Sequence, residues 1–177
     1  ALGHWIQVAQ LSPPPFSPTW LELGFGAAVA ISGTTIVVGA PGYELDLEAP
    51  GAAFVYERAG ATPWSWVRSA ALLPADTFGF GSFGASVTIS GDALLVGSSS
   101  GAHAYERRGP GLPWSRATRI APFEPTRVLL EGNHAWLARP SGEIREMVQS
   151  SPGAEWSEVA RFAAPPGPLA SDHGTLL

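Results

Sequence analysis

The strongest candidate for metal chemistry is an acidic segment early in the chain, in which Glu44, Asp46 and Glu48 occupy alternating positions. Oxygen-rich loops suit Ca²⁺, because this ion takes about six to eight oxygen ligands. The residues between the carboxylates are Leu45 and Leu47, which add no side-chain oxygen. Three carboxylates are few by this count, so a solvated acidic loop is favoured, with calcium open as the alternative. No other cofactor is predicted.

A glycine pattern typical of dinucleotide sites spans residues 79–84, which read Gly-Phe-Gly-Ser-Phe-Gly. In such sites the glycines let the backbone approach a pyrophosphate at the N-terminus of a helix. The residues that follow, Val87 to Ile89, have the β-branched character of a strand. The glycines are therefore predicted to shape the start of a repeat unit and not a nucleotide site.

Histidine and nucleophile chemistry finds little support in the residue spacing. The sequence has no Gly-x-Ser-x-Gly elbow. It has four histidines that do not pair at metal-ligand spacing, namely His4, His103, His134 and His173. The chain contains no cysteine and no lysine, which excludes thiolate zinc sites, cysteine nucleophiles and Schiff bases. His103 holds the repeat position of Phe54, so we predict a packing role for it. No catalytic, metal or cofactor-binding residue is assigned, the ligand-binding residues are unknown, and a non-enzymatic role is favoured while enzymatic activity stays undecided.

The charge pattern excludes a nucleic-acid partner. All ten cationic residues are arginines, the net charge is -5, and the arginines are scattered singly or beside glutamates, as in Glu57-Arg58. Binding to a phosphate backbone needs a clustered positive surface. No apolar stretch approaches the ~18 residues of a membrane-spanning helix, so no membrane insertion is predicted. The N-terminus lacks the pattern of a signal peptide, and the chain reads as a mature segment or an excised piece.

The composition predicts many short strands. The chain has 21 glycines and 17 prolines and is 45% hydrophobic but only 14% charged. Glycine and proline interrupt the sequence too often for long helices, and the apolar segments between them have the length of strands. An all-β fold follows from this pattern.

An internal repeat is the main signal in the sequence. Residues 25–33 read Phe-Gly-Ala-Ala-Val-Ala-Ile-Ser-Gly and return almost unchanged at residues 83–91, and a decayed copy begins near Arg127. Each copy runs into a second aliphatic stretch and then into a strand that ends in a charge pair, as in Tyr56-Glu57-Arg58. The Ser-Gly and Gly-Asn pairs between the first two stretches predict hairpin turns.

A tryptophan segment closes each unit. Four tryptophans hold the same repeat position and are predicted to pack against a neighbouring unit, namely Trp5, Trp64, Trp114 and Trp156. Trp20, Trp66 and Trp136 fall outside this register, and they are the better candidates for a surface role.

Four strands in each unit of about 40–60 residues match the blade of a β-propeller, a four-stranded antiparallel sheet. The fold class predicted is therefore all-β, with three four-stranded antiparallel blades plus part of a fourth in an incomplete ring. The predicted units within the single segment 1–177 are 12–73, 74–120, 121–162 and the partial unit 163–177. Residues 1–11 are predicted to be the outer strand of a preceding blade.

At these residues the chain resembles the bacterial FG-GAP repeat family, which is related to the propeller of integrin α-subunits. The resemblance rests on Phe25-Gly26, Phe83-Gly84, Gly39-Ala40-Pro41, the Tyr-Glu-Arg strand ends and the tryptophan strands. It is clear over residues 5–120 and weaker over 121–177, where Phe-Gly is lost and Gly-Ala-Pro has become Ala138-Arg139-Pro140. Family propellers have about seven blades, so the resemblance implies missing blades in a parent chain or self-association that completes the ring.

The resemblance implies a non-enzymatic module that mediates protein or glycan binding. Its expected location is extracellular, periplasmic or on the cell surface, as for an adhesion protein. Two alternatives remain, a hydrolase or lyase built on a propeller scaffold and a purely structural spacer. Two carboxylates from different blades that converge beside the ring axis would favour the enzyme.

Overall fold

A computed structural model describes residues 4, 6–14, 22–43, 51–60, 62, 64–74, 81–115, 118–121, 127–163, 171–172 and 175–176. Every regular element in these residues is a β-strand. Twelve of the strands form three four-stranded antiparallel sheets, which we name blades one, two and three. The predicted all-β class and the three four-stranded blades are confirmed, and these blades do not close a ring.

Blade one is an antiparallel meander of β2 (Ala28–Ser32), β3 (Thr35–Ala40), β5 (Ala52–Arg58) and β6 (Trp66–Leu72). The insertion between β3 and β5 carries β4 (Gly42–Tyr43), which pairs with β1 (Glu22–Leu23). The inner strand β2 alternates apolar and small residues, and this period of two puts one set on each face of the sheet.

Blades two and three repeat the same order without an inserted pair. Blade two consists of β7 (Ser86–Ser90), β8 (Ala93–Ser98), β9 (Gly101–Glu106) and β10 (Thr118–Ala121). Blade three consists of β11 (Arg127–Glu131), β12 (His134–Ala138), β13 (Glu143–Gln149) and β14 (Trp156–Ala163). A last hairpin pairs β15 (Ser171–Asp172) with β16 (Thr175–Leu176). The strand bounds do not test the predicted unit boundaries, which stay predictions.

The first two strands of each blade are joined by a two-residue turn that starts with glycine. Gly33, Gly91 and Gly132 have φ of 55°, 57° and 57°, a left-handed conformation that glycine adopts without steric cost. Such turns match the twist of the strands that they connect. The glycines therefore fix the hairpin register, in which Ser32 lies opposite Thr35 and Ser90 opposite Ala93.

Hydrophobic cores lie between the blades. The core between blades one and two contains Val37 and Val55 from blade one and Val87, Ile89 and Leu94 from blade two. A second core, between blades two and three, joins residues of β8 and β9 to residues of β11, β12 and β13. Because these side chains are buried only where two blades meet, the stability of each blade depends on its neighbours.

Blades two and three are also joined by a polar ladder along their inner strands. The hydroxyls of Ser86 and Thr88 accept hydrogen bonds from the backbone N–H groups of Val128 and Leu130, at 2.8 and 3.2 Å. Ser90 accepts a third bond from the N–H of Gly132 at 3.1 Å. The ladder satisfies amides on the free edge of β11, which would be costly to bury unpaired. In blade one the corresponding residues of β2 are Ala28, Ala30 and Ser32, and the hydroxyl of Ser32 accepts from the N–H of Gly91 at 3.1 Å.

Blades one and two meet instead through glycine backbone. Gly84, with φ of 95°, lies so close to blade one that a Cβ atom there would collide with the backbone of Ala40 and Ala52. A Cβ atom on Gly39 would collide in turn with the carbonyl group of Gly84. The Phe-Gly motif of one blade thus contacts the Gly-Ala-Pro motif of the preceding blade, and Phe83 is fully buried beside them.

Candidate functional site

A cavity with a volume of about 970 Å³ opens on the turn side of blades two and three. Its walls are the β7–β8 and β11–β12 turns and the two loops that lead to the outer strands β10 and β14. Apolar groups are supplied by Leu112, Pro113 and Trp114 of the first loop and by Pro152 of the second. Polar groups at the cavity include Asp92, Glu106, Arg107, Arg108, Asn133 and Gln149. This size suits a small molecule or a segment of polypeptide.

Arg107 is the most constrained charged group at the cavity, and its side chain is only 4% exposed. Its guanidinium binds Glu57 of blade one, Asp92 of its own blade at 2.6 Å, and the hydroxyl of Thr35 at 3.1 Å. It also lies over the ring of Trp114, at 4.7 Å from the centroid. A nearly buried guanidinium needs such partners to offset its lost hydration. Arg107 therefore joins the two blades and holds Trp114 in the cavity wall.

Gln149 has the corresponding role in blade three. Gln149 is the last residue of β13 and holds the position that Arg107 occupies directly after β9. Its side-chain amide donates to Glu106 of the preceding blade at 2.5 Å. The same amide donates to the carbonyl of Ala154 at 2.8 Å, which ties down the loop beside Pro152. Glu57 and Glu106 hold the same strand position. In blades two and three, the end of the third strand therefore bonds to a glutamate of the preceding blade.

The loop at residues 107–115 is fixed at both its base and its tip. At its base, Ser115 and Glu106 exchange two hydrogen bonds, of 2.6 and 2.9 Å. At the tip, the N–H of Gly111 lies 3.4 Å from the carboxylate of Glu57. Leu112 is nevertheless 51% exposed. The loop thus presents an apolar side chain to solvent from a restrained backbone, as binding loops do.

The tryptophan assignments need correction. Trp66, and not Trp64, holds the repeat position, because Arg58 lies over Trp66 as Arg107 lies over Trp114, and Trp156 pairs with the strand end at Gln149. Trp64 is 55% exposed and does not have the predicted packing role. The sequence favoured Trp64 because the string Pro-Trp-Ser precedes both β6 and β10, and matching the two strings aligns Trp64 with Trp114.

The surface role predicted for Trp66 and Trp136 is also wrong. Trp136 is 1% exposed, and Trp66 is partly buried against the core of blade one. Trp114 and Trp156 do pack against the cores that their blades share with the preceding blade, as predicted. Trp5 and Trp20 lie outside the described residues.

The histidines fall in two environments. His103 is fully buried, with Nε2 at 3.2 Å from the hydroxyl of Ser98 and its ring edge-on to Phe83, which is the predicted packing role. Ser98 is itself buried and donates to the carbonyl of Gly101, so this Ser–His contact is not an accessible nucleophile pair. His134 stacks on Trp136 and contacts Glu146 at 2.9 Å. His4 is exposed, and His173 lies outside the described residues.

A second charged group lies on the outer strands of blade three. Glu143 and Glu158 are bridged by Arg145 and Arg161, with N–O distances from 2.5 to 3.7 Å. The hydrogen bond from Arg145 lowers the pKa of the Glu143 carboxyl, and the hydrogen bond and charge of Arg139 lower it further. These side chains lie at the surface and are partly exposed to water, so each ion pair contributes little to stability.

Other predicted features lie partly or wholly outside the described chain. The acidic segment of Glu44, Asp46 and Glu48 is not among the described residues, and the calcium alternative stays a prediction. Within the described residues, no group of three or more histidines and carboxylates could hold a metal ion. Gly79 and Phe80 also lie outside, but Gly84 leads into the strand β7, as predicted.

Two carboxylates from different blades converge, which meets one part of what the enzyme alternative requires. Glu57 and Asp92 both bind the guanidinium of Arg107, which lies between them. They come from a strand end and a turn, and not from the inner strands. This arrangement supports a clamp between blades more directly than a general acid and base, because both carboxylates already accept hydrogen bonds from one cation.

The cavity itself was not predicted from the sequence. Its residues come from four turns and loops far apart in the chain, so their approach depends on how the blades stack. One signal was available, the segment Gly109 to Trp114, where an apolar residue lies between glycines and prolines, a composition typical of loops. Loops are ordinarily polar, and an apolar loop tip indicates a contact surface.

Comparison with known proteins agrees with the repeat architecture. Residues 23–56 match the FG-GAP repeat family model, and this range runs from β1 to β5. No match is found among curated proteins. A search of the described residues finds no helix that is long and apolar enough to span a membrane. The match coincides with the blade that supplies the Gly-Ala-Pro side of the glycine contact, and the chain therefore contains an FG-GAP repeat within a set of propeller-like blades.

Proposed function

We propose that this chain is a non-enzymatic binding module, exported or displayed at a cell surface, that holds an extended protein segment in the cavity between blades two and three. The cavity is the observation that carries the proposal. It combines an exposed leucine on a restrained loop with hydrogen-bonding groups at its edge, such as Asn133 and Arg108. Extended peptides are bound by apolar pockets and polar groups in this way.

A protein ligand is favoured over a glycan by the position of Trp114. Sugars stack on an open aromatic face, but one face of Trp114 lies under Arg107 and its ring packs against the core of blades one and two. Leu112, Pro113 and Pro152 remain as the apolar contact surface, which suits an aliphatic side chain. An extracellular location is supported by the FG-GAP repeat, which is typical of extracellular proteins.

The test compares the chain with two matched variants, Leu112→Asp in the cavity and Val159→Asp on the outer strand of blade three. Both residues are aliphatic and more than half exposed, at 51% and 58%. A random peptide display library is selected on the unaltered chain, and the enriched peptides are titrated against all three proteins. We expect Leu112→Asp to weaken binding at least about tenfold, which is roughly 1.4 kcal/mol, and Val159→Asp to leave it unchanged.

A glycan array probed with the same three proteins separates the alternatives. Glycan binding that Leu112→Asp leaves intact, or peptide binding that both variants weaken equally, would contradict the proposal. Failure of both libraries to give any ligand would favour the structural spacer.

A further inference from the structure

Blade one has an open face on the side away from blade two. Val29 and Ile31 are 62% and 61% exposed there, whereas Val87 and Ile89, at the same positions of β7, are almost fully buried against blade one. Apolar side chains gain roughly 25 cal/mol for each Å² removed from water. The open face of blade one therefore carries the same aliphatic pair that forms the interface one blade later.

The backbone of this face is shaped for a close neighbour. Gly26 follows Phe25 and has φ of 88°, just as Gly84 follows Phe83 and has φ of 95°. At Gly84 the absent side chain makes room for the backbone of blade one. At Gly26 no heavy atom of the described residues lies within 4 Å of the Cβ position, so the same room is available to another strand end.

The charge on this face is specific as well. Arg58 holds the position of Arg107 and Gln149, each of which bonds to a glutamate of the preceding blade. Arg58 is exposed, lies over Trp66 at 5.3 Å, and forms no ion pair with a carboxylate of the described residues. The open face of blade one therefore has a guanidinium, that of Arg58, at the position from which Arg107 and Gln149 donate to a glutamate of the preceding blade.

Part of the same interface is already formed at the outer edge of blade one. The hydroxyl of Tyr56 donates to the carbonyl of Ser12 at 2.6 Å, as the hydroxyl of Tyr105 donates to the carbonyl of Leu73. Leu11 packs against the core of blade one, as Leu72 packs in the core between blades one and two. Residues 11 and 12 thus lie where the end of a preceding outer strand would lie, beside the open inner part of the face.

We propose that the open face of blade one binds a further blade of this repeat type, one that has glycine at the position of Gly39 and glutamate at the position of Glu57. Blade three of a second copy does not meet this requirement, because it has Ala138 and Val148 at the two positions. The occupant is therefore a blade that resembles blades one and two in these residues. This inference is independent of the cavity and its ligand.

The test is a longer chain in which residues 1–72 are followed by residues 12–177. Leu72 then takes the place of Leu11, and an upstream copy of blade one, with Gly39 and Glu57, precedes the open face of the downstream copy. The protein has no cysteine, so Val29→Cys in the downstream copy introduces a single thiol. We expect its labelling rate to fall at least about tenfold relative to Val29→Cys in the original chain, toward that of Val87→Cys.

A second measurement reads the ion pair. Arg58→Ala in the downstream copy should lower the folding equilibrium constant of the longer chain at least about tenfold, and it should have a smaller effect in the original chain. Upstream Glu57→Gln should remove this difference, and upstream Gly39→Val should restore fast labelling of the thiol. Unchanged labelling, equal effects of Arg58→Ala in both chains, or a longer chain that does not fold would each overturn the proposal.

Discussion

Tyr105 links the protonation of one side chain to the contact between two blades. Its ring is buried in the core between blades one and two, and its hydroxyl donates to the carbonyl of Leu73 at the end of blade one. Burial raises the pKa of the Tyr105 hydroxyl well above its ordinary range, because a phenolate in this core would lose its hydration. The folded protein therefore holds this proton more tightly than the unfolded chain.

The sign of the resulting pH dependence follows from linkage. Stabilisation by Tyr105 is complete below about pH 10, where both states are protonated, and is lost as the pH rises further and the unfolded chain alone releases the proton. We predict that the free energy of unfolding in urea falls by about 1 kcal/mol more between pH 8 and pH 11 in the unaltered chain than in Tyr105→Phe.

Tyr56→Phe serves as the control for this prediction. Burial also raises the pKa of Tyr56, but Arg68 opposes the shift, so its contribution to the alkaline loss should be smaller. The chain has no lysine or cysteine to titrate in the same window. An identical pH dependence in the unaltered chain and in Tyr105→Phe would contradict the prediction.

The glycines of the second strands show how one residue type serves two different junctions. Gly39 and Gly97 hold the same strand position, opposite Ala28 and Ser86. A Cβ atom on Gly39 would collide with the backbone of Gly84 in blade two, whereas one on Gly97 would make an ordinary contact, at 3.5 Å, with the side chain of Val128 in blade three. Blade two therefore lies closer to blade one, at this point, than blade three lies to blade two.

We predict that Gly39→Ala destabilises the protein by about 2 kcal/mol or more, because backbone must move to admit the methyl group. Gly97→Ala, the matched control, should cost less than about 1 kcal/mol. Urea unfolding monitored by tryptophan fluorescence measures both values. Similar losses in the two variants would show that the close glycine contact is not what sets the spacing of the blades.

At the scale of the strand, the polar ladder between β7 and β11 replaces this glycine contact at the second junction. We predict that Thr88→Val costs about 1–2 kcal/mol, because the buried N–H of Leu130 loses its acceptor while the shape of the side chain is kept. Ser90→Ala removes a bond of the same kind at the exposed turn, where water can replace the hydroxyl. Its cost should be clearly smaller in the same urea experiment.

The prediction from sequence succeeded for strands and failed for some side chains. Period-two alternation and glycine turns are local signals, and they located β2, β3, β7 and β8 well. The tryptophan register was wrong because Pro-Trp-Ser strings align Trp64 with Trp114, whereas pairing to β5 puts Trp66 in that position. Packing across the sheet decides this register, and sequence spacing alone does not carry it. The cavity depends on contacts between blades, and no local pattern of residues in the sequence specifies those contacts.

At the scale of the whole molecule, each blade is stabilised mainly by its neighbours. Blade two has a neighbour on both sides, and Leu94 and Leu95, on opposite faces of β8, are both fully buried in the two separate cores. In stacked repeats a unit with two interfaces opens least often. We predict that the amides of β8 exchange more slowly than those of β3 and β12 in native-state hydrogen exchange.

Mass spectrometry after deuterium labelling can resolve these three strands as separate peptides. Equal protection of all three would indicate a single cooperative unit without dependence on position. Slower exchange in β12 than in β8 would contradict the prediction, because it would place the most stable core in blade three.

The glycine contact of the first junction and the polar ladder of the second also restrict which units of such a protein can be duplicated. Unequal recombination that duplicates the first or second unit would create a new junction between two copies of the same blade. At that junction a glutamate would again lie beside the arginine of the next blade, and a glycine of the second strand beside the glycine of the next Phe-Gly motif. A copy of the third unit would instead set Gln149 against Val148 and Leu130 against Leu129, without an acceptor for either donor. Selection should therefore tolerate expansion on the amino-terminal side of the array and remove it at the third unit.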